Sequence, residues 1–223
     1  MERYSRNFPA ISPEEQSCLA SKQVLILGCG GLGGFLCEYM ARLGVGTITA
    51  ADPDRFDKSN LNRQLLSSVE SLGCGKAVTA RQRAAAVNPD VKFNAVEAAF
   101  TAETAAQLLR GVDLVLDALD SAADRLLLED ACAAAGVPIV HGAVHGWMAQ
   151  VAVVLPGSGM LHRLYGDAAS ADGDKACLVF TPAWCAAAQS AEALKLLLGR
   201  ESTLAGRLLI ADLQSMDTNI ITL

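Results

Sequence analysis

Three groups of residues in this chain could together handle a nucleotide: a glycine run at Gly28-Cys29-Gly30-Gly31-Leu32-Gly33, an acid at Asp52, and the block Asn60-Leu61-Asn62-Arg63-Gln64 followed by Lys76. The run fits G-x-G-x-x-G, in which bare backbone can approach a phosphate and the helix opening there offers N–H groups with partial positive charge. Asp52 lies 19 residues beyond Gly33, a placement suited to ribose hydroxyls. NAD and ATP share the adenosine half, so these features do not choose between them. Arg63 and Lys76 do. Fixed guanidinium and ammonium groups have no task beside a nicotinamide, but they stabilise the charge that builds on pyrophosphate when the α-phosphorus of ATP is attacked. Each alone could pass as a surface residue. Together, after Asp52 and within one β-α unit, they point to ATP-dependent adenylation.

The elements that must position these groups follow from pattern. Ser12-Pro13-Glu14-Glu15 predicts a helix start, with a capping serine, a proline in the first turn and a glutamate three residues on. Residues 23–27 read as a strand buried in a parallel sheet. The glycine run follows at once, then a helix over 35–43 and a strand over 46–51 that delivers Asp52 at its carboxyl end. A helix over 76–87 stopped by Asn88-Pro89, a strand over 91–96, a helix over 101–109, a strand over 113–116, a helix over 122–135 and a strand over 138–140 continue the alternation. A strand over 150–155 with no preceding helix predicts an antiparallel end to the sheet. Residues 156–175, rich in Gly, Asp and Ser, read as a mobile loop. A helix over 182–198 and a hairpin of 208–213 with 219–222 close the chain. The expected fold is a single Rossmann-like α/β domain, doubly wound and mainly parallel, with antiparallel strands toward the C-terminus.

Asp120 falls just past an apolar strand, at the end where ligands bind in doubly wound sheets. A carboxylate beside a polyphosphate makes sense mainly with a metal between them. The ordinary alternative is a cap for the helix over 122–135, which Ser121 could equally supply. His141 and His145 are four apart, but they follow a strand rather than a helix, so lining or buried histidines are expected before a metal pair. Trp147 and Met148, in the same region, could touch a partner protein's tail. The seven cysteines (18, 29, 37, 74, 132, 177 and 185) include no C-x-x-C pair and mostly fall in apolar segments, as reduced core cysteines do.

Hydrophobic residues make up 52% of the 223 and charged residues 19%, enough for a large core and against disorder. The net charge of -6 counts against nucleic acid as the main partner. No apolar stretch approaches the ~18 residues of a membrane span, and the N-terminus lacks a signal-like apolar core. A cytoplasmic protein is expected.

The chain resembles the HesA/MoeB/ThiF family, the bacterial relatives of ubiquitin-activating enzymes. Arg3-Tyr4-Ser5-Arg6 resembles that family's N-terminal R-Y-x-R; Gly28 to Gly33, Asp52-Pro53-Asp54 through Gln64, Gly73-x-Gly75-Lys76, Asp117-x-x-Asp120 with Arg125, and Gln189 through Lys195 match further motifs. The N-L-N-R-Q block with its downstream lysine is the most specific. The resemblance implies ATP- and Mg²⁺-dependent adenylation of the C-terminal Gly-Gly carboxylate of a small ubiquitin-fold sulfur carrier, serving thiamine or molybdopterin/tungstopterin synthesis. It implies that Gly28, Gly30, Gly31, Asp52, Asn60, Arg63, Gln64 and Lys76 bind the nucleotide. Arg63, Lys76 and Asp120 would act in catalysis, with Asp120 placing Mg²⁺. Arg6 would reach into a partner subunit's site, hence a homodimer.

The whole of 1–223 would be one ThiF-type adenylating domain: a helical arm over 1–22, a nucleotide-binding core over 23–155, the loop over 156–175, and a C-terminal helix and hairpin over 176–223. Where relatives carry zinc cysteines this chain reads Leu161-His162-Arg163-Leu164, so no zinc is expected, and Ser121 stands where Asn is frequent. No rhodanese-like segment is present, so the sulfur donor would be a separate protein. Some relatives link the carrier to a cysteine; Cys177 lies near that region, but no neighbouring base or cation visibly lowers its pKa. The competing readings are a tRNA-modifying dehydratase relative and a non-catalytic nucleotide-binding dimer module, with a redox dehydrogenase weakest.

Overall fold

A computed structural model describes residues 2–166 and 176–223. In chain order the elements are α1 (Pro13–Leu19), β1 (Gln23–Leu27), α2 (Gly31–Leu43), β2 (Thr47–Ala51), α3 (Lys76–Val87), β3 (Lys92–Val96), α4 (Ala102–Leu108), β4 (Leu114–Asp117), α5 (Ala122–Ala135), β5 (Ile139–His145), β6 (Met148–Val154), α6 (Met160–Tyr165), α7 (Phe180–Leu197), β7 (Arg207–Asp212) and β8 (Asp217–Thr222). The strands form one sheet in the order β3-β2-β1-β4-β5-β6-β7-β8. The first five are parallel, and β6, β7 and β8 join antiparallel. This is the expected fold class.

Alternation along β1 shows why the sheet is covered on both faces. Val24 and Ile26 join one core with Leu36 and Met40 of α2, Ala77, Ala80 and Ala84 of α3, and Cys185 and Ala186 of α7. Leu25 and Leu27 face the other, with Ala105 of α4, Leu128 and Cys132 of α5, and Met160 and Leu161 of α6. A continuous apolar run is what a strand buried on both faces requires. The chain leaves β1 toward β2 and β3 on one side, then crosses to β4 and β5 on the other. Leu27 pairs level with Ala51 and with Asp117, so the crevice at this reversal lies beside Gly28, Asp52 and Ala118.

Several boundaries differ from the sequence expectation. Helix α2 starts at Gly31, not residue 35, because the glycines themselves take helical backbone after the Gly30 N-cap. Strand β5 runs on to His145 because a two-residue turn at Gly146-Trp147 folds it onto β6. The span 156–175, expected to be a loop, contains α6, whose Met160 and Leu161 are buried against α5; residues 167–175 of that span lie outside the described residues. Helix α7 begins at Phe180, leaving Pro182 in its first turn, where no N–H is missed.

The N-terminal arm packs at the far end of the sheet from the crevice. Asn88, the cap after α3, donates from Nδ2 to Tyr4 Oη at 2.8 Å, Arg3 pairs with Asp90 at 2.9 Å, and Gln16 donates to Leu43 O at the end of α2. Among the described residues no helix is long and apolar enough to cross a membrane.

Candidate nucleotide site

The glycine run forms the tight turn from β1 into α2, and its four glycines are not equivalent. At Gly28, φ is +91°, and a Cβ would stand 2.6 Å from Ala118 O; at Gly33 it would stand 1.8 Å from Gly28 O. These two serve the fold. At Gly31 a Cβ would meet Arg63 Cγ at 3.7 Å, Pro182 Cγ at 3.8 Å and Arg63 O at 3.9 Å, and at Gly30 the Gln64 amide from 3.6 Å, all ordinary contacts. Packing does not demand glycine there, and the bare backbone has room for a ligand to approach. Gly33→Ala is therefore expected to destabilise the protein by about 3 kcal/mol or more. Gly31→Ala should keep the melting temperature and weaken ATP binding roughly tenfold or more, as loss of one charged hydrogen bond does. Thermal melts and calorimetric titration of both variants check this pair.

Asp52, buried, latches the loop: Cys29 N donates to its Oδ2 at 2.6 Å and Asp54 N to its Oδ1 at 2.8 Å. Burial pushes its carboxyl above the usual range, opposed by these two N–H groups and by the nearby Lys76 charge. Each oxygen retains a lone pair for a ribose hydroxyl. Lys76, the first residue of α3, is 7% exposed and places Nζ 2.9 Å from Asp54 Oδ2, while its own N–H donates to Asp54 O. An ammonium buried in a first helical turn, against the dipole, is not a surface residue, and Asp54 is a partner that sequence reasoning did not single out.

Asn60 folds the turn that delivers its neighbours. Its Oδ1 accepts from Asp57 N, and its carbonyl accepts from Arg63 N and Gln64 N. Arg63 lays its stem along Gly31 and donates to Ser59 O and Asn62 Oδ1. Gln64 is buried beside Gly30, and its Oε1 is buried without a hydrogen-bond partner among the described residues. An orphaned acceptor against an open glycine loop fits a nucleotide donor group.

Asp120 stands exposed at the end of the turn after β4. That turn touches the glycine loop through Ala118, whose N donates to Leu27 O at 3.0 Å. Ser121, not Asp120, caps α5 by accepting from Asp124 N. Among the described residues no cluster of three or more His, Cys, Asp or Glu gathers to hold a metal.

Other candidates resolve differently. Arg6 is not at this crevice: its arm packs where α2 ends, and the 13 residues of α2 span about 20 Å. His141 and His145 sit on β5, about 13 Å apart along a strand, too far to share one ion. Cys177 is half-buried; its carbonyl accepts from Asn62 Nδ2 at 3.3 Å. Burial raises its thiol, and the charge of Arg63, brought there from across the fold, opposes that. Cys185 is core as expected, while Cys74 is exposed. Trp147 packs against Phe180, ring centroids 4.9 Å apart and planes tilted by 49°, and both are exposed.

Comparison with known proteins gives the same outline. The ThiF family pattern matches residues 4–223. The SAMP-activating enzyme E1 of Haloferax volcanii is 34% identical over 223 residues, covering 97% of this chain and 83% of that protein. The sulfur carrier protein adenylyltransferase of Thermus thermophilus is 38% identical over 225 residues, covering 95% and 83%. The probable adenylyltransferase/sulfurtransferase MoeZ of Mycobacterium tuberculosis is 35% identical over 233 residues, covering 99% of this chain but 59% of MoeZ. Among solved structures, E. coli MccB with AMPCPP and MccA superposes with a TM-score of 0.86 at 20% identity, covering 99% of this chain and 71% of that one. PaaA gives 0.83 at 20% identity, covering 99% and 72%. At that identity the structural likeness concerns the fold.

Proposed function

The chain belongs to the ThiF family, and on that premise we propose that it is an adenylyltransferase that activates the C-terminal Gly-Gly carboxylate of a small ubiquitin-fold sulfur carrier with ATP. The observation that carries this reading is Lys76, an ammonium buried beside the glycine loop and Asp52, where a triphosphate needs it and a nicotinamide does not. The two relatives that this chain covers to 83% of their length are named for activating SAMP and for adenylating a sulfur carrier protein.

In this reading Gly30 and Gly31 admit the phosphates to free N–H groups of α2, Gly28 makes the turn that brings them there, and Asp52 holds the ribose. Arg63 and Lys76 grip the phosphates. The carrier's carboxylate oxygen attacks the α-phosphorus, forming an O–P bond, and the bond to pyrophosphate breaks. Lys76 and Arg63 stabilise the charge gathering on the leaving group. Asp120 would hold Mg²⁺, which supplies further charge neutralisation when bound. The acyl-adenylate then has AMP as its leaving group, so that a sulfur nucleophile from a separate donor protein can take the acyl group. A homodimer brings Arg6 of one subunit to the site of the other.

Intact-mass analysis tests this directly. Protein, ATP, Mg²⁺ and the cognate Gly-Gly carrier should yield carrier bearing one adenylyl group, and carrier lacking its terminal glycine should yield none. Equal modification of both would contradict the reading.

A further inference from the structure

The described residues hold a buried polar chain that the proposed chemistry does not use. Asp117, at the end of β4, and His141, on β5, are both 0% exposed, and His141 Nδ1 lies 2.6 Å from Asp117 Oδ2. On the other side of the ring, Tyr165 Oη lies 3.0 Å from His141 Nε2. Gln150, on β6, donates from Nε2 to Tyr165 Oη. A glutamine amide nitrogen only donates and a carboxylate only accepts, so with a neutral imidazole one proton arrangement satisfies the chain. Gln150 donates to Tyr165, Tyr165 to His141 Nε2, and His141 Nδ1–H to Asp117.

The far end of this chain grips the turn that carries Asp120. Asp117 Oδ1 accepts from Leu119 N at 2.9 Å. Arg125 of α5 puts Nε 3.6 Å from Asp117 Oδ2 and donates from Nη2 to Leu119 O at 2.5 Å. The carbonyl of Leu119 belongs to the peptide bond that leads into Asp120, so both polar groups of Leu119 are held. Tyr165 also lies under that guanidinium, with Arg125 Cζ 5.0 Å from the ring centroid. Tyr165 thus supports both grips, one through His141 and one through Arg125.

We propose that His141 and Tyr165 are positioning residues that, through Asp117 and Arg125, fix the Leu119–Asp120 peptide and so aim the Asp120 carboxylate at the metal-bearing phosphates. This rests on the adenylation reading of the same site. Partners that hold a metal-binding group in place change metal affinity without touching the metal. The effect falls on Mg²⁺ and not on the nucleotide, because Lys76, Arg63 and Asp52 make no bond to this chain.

The test is calorimetric ATP binding with and without Mg²⁺, joined to amide hydrogen exchange of Leu119 in the free protein. In His141→Leu the gain in ATP affinity conferred by Mg²⁺ should shrink about tenfold or more, Mg²⁺-free ATP binding should hold, and Leu119 exchange should quicken. His141→Asn, which keeps a donor toward Asp117, should restore most of the gain; a merely space-filling histidine would show no such rescue. Tyr165→Leu, at the end of α6, tests the same claim with less disturbance of the core and should lose part of the gain. An unchanged Mg²⁺ gain in either folded variant overturns the proposal. Wild-type protein that binds no Mg²⁺–ATP overturns the adenylation reading and this inference with it.

Discussion

Lys76→Ala should lose at least about a hundredfold of its adenylation rate, the scale on which preorganised charge at a leaving group operates, while its melting temperature stays near that of the parent. The second half of the expectation follows from the pairing. A buried charge is dangerous to strip of its partner, but the partner here, Asp54, has a side chain that is 66% exposed and can be solvated by water. Removing the ammonium therefore leaves no orphaned charge in the core. It does remove the cation that opposes the burial-driven rise of Asp52. Steady-state pyrophosphate release and a thermal melt, measured on one preparation, check both halves. Near-normal turnover would place the triphosphate elsewhere.

The second large effect concerns Arg6. Its arm is tied to the ends of α2 and α3 by Tyr4, Arg3 and Gln16, at the opposite end of the sheet from the glycine loop. An arginine so placed cannot serve its own crevice. If it serves another subunit's, Arg6→Ala homodimers should be as impaired as Lys76→Ala homodimers, yet mixed dimers of the two should regain one working site. Differently tagged subunits, co-expressed and purified through both tags, give the mixed species, and its turnover is compared with that of each parent. Mixed dimers no more active than either parent would exclude shared sites.

The parts of the fold set by local signals match their expected bounds. Strand β1 is a continuous apolar run, α3 is stopped by Asn88-Pro89, and α5 lies between a capping Ser121 and a left-handed Gly136, so neighbours in sequence determine each. Where bounds moved, the cause was remote. Strand β5 lengthens because β6 returns along it, and Gly142 is tolerated there because the Gln189 amide from α7 fills the space a side chain would take. Helix α6 is short and flanked by glycines that read as loop; contact with α5 makes it a helix.

The site divides in the same way. The glycine run, Asp52, the N-L-N-R-Q block and Lys76 are each contiguous motifs, and the fold gathers them because all sit at or just beyond the carboxyl ends of β1 and β2. Asp54 as the partner of Lys76, Arg63 as the cation near Cys177, and the chain from Gln150 through Tyr165 and His141 to Asp117 are pairings across the fold. His141 stands 24 residues from both Asp117 and Tyr165, and no period or spacing marks such pairs.

The most direct test of the central claim is ATP–pyrophosphate exchange with purified protein, Mg²⁺ and a panel of Gly-Gly-ended ubiquitin-fold carriers. The account predicts exchange that requires one of those carriers and disappears in Lys76→Ala, which would establish reversible acyl-adenylation and identify the partner together. Tight ATP binding with no exchange for any carrier would contradict it.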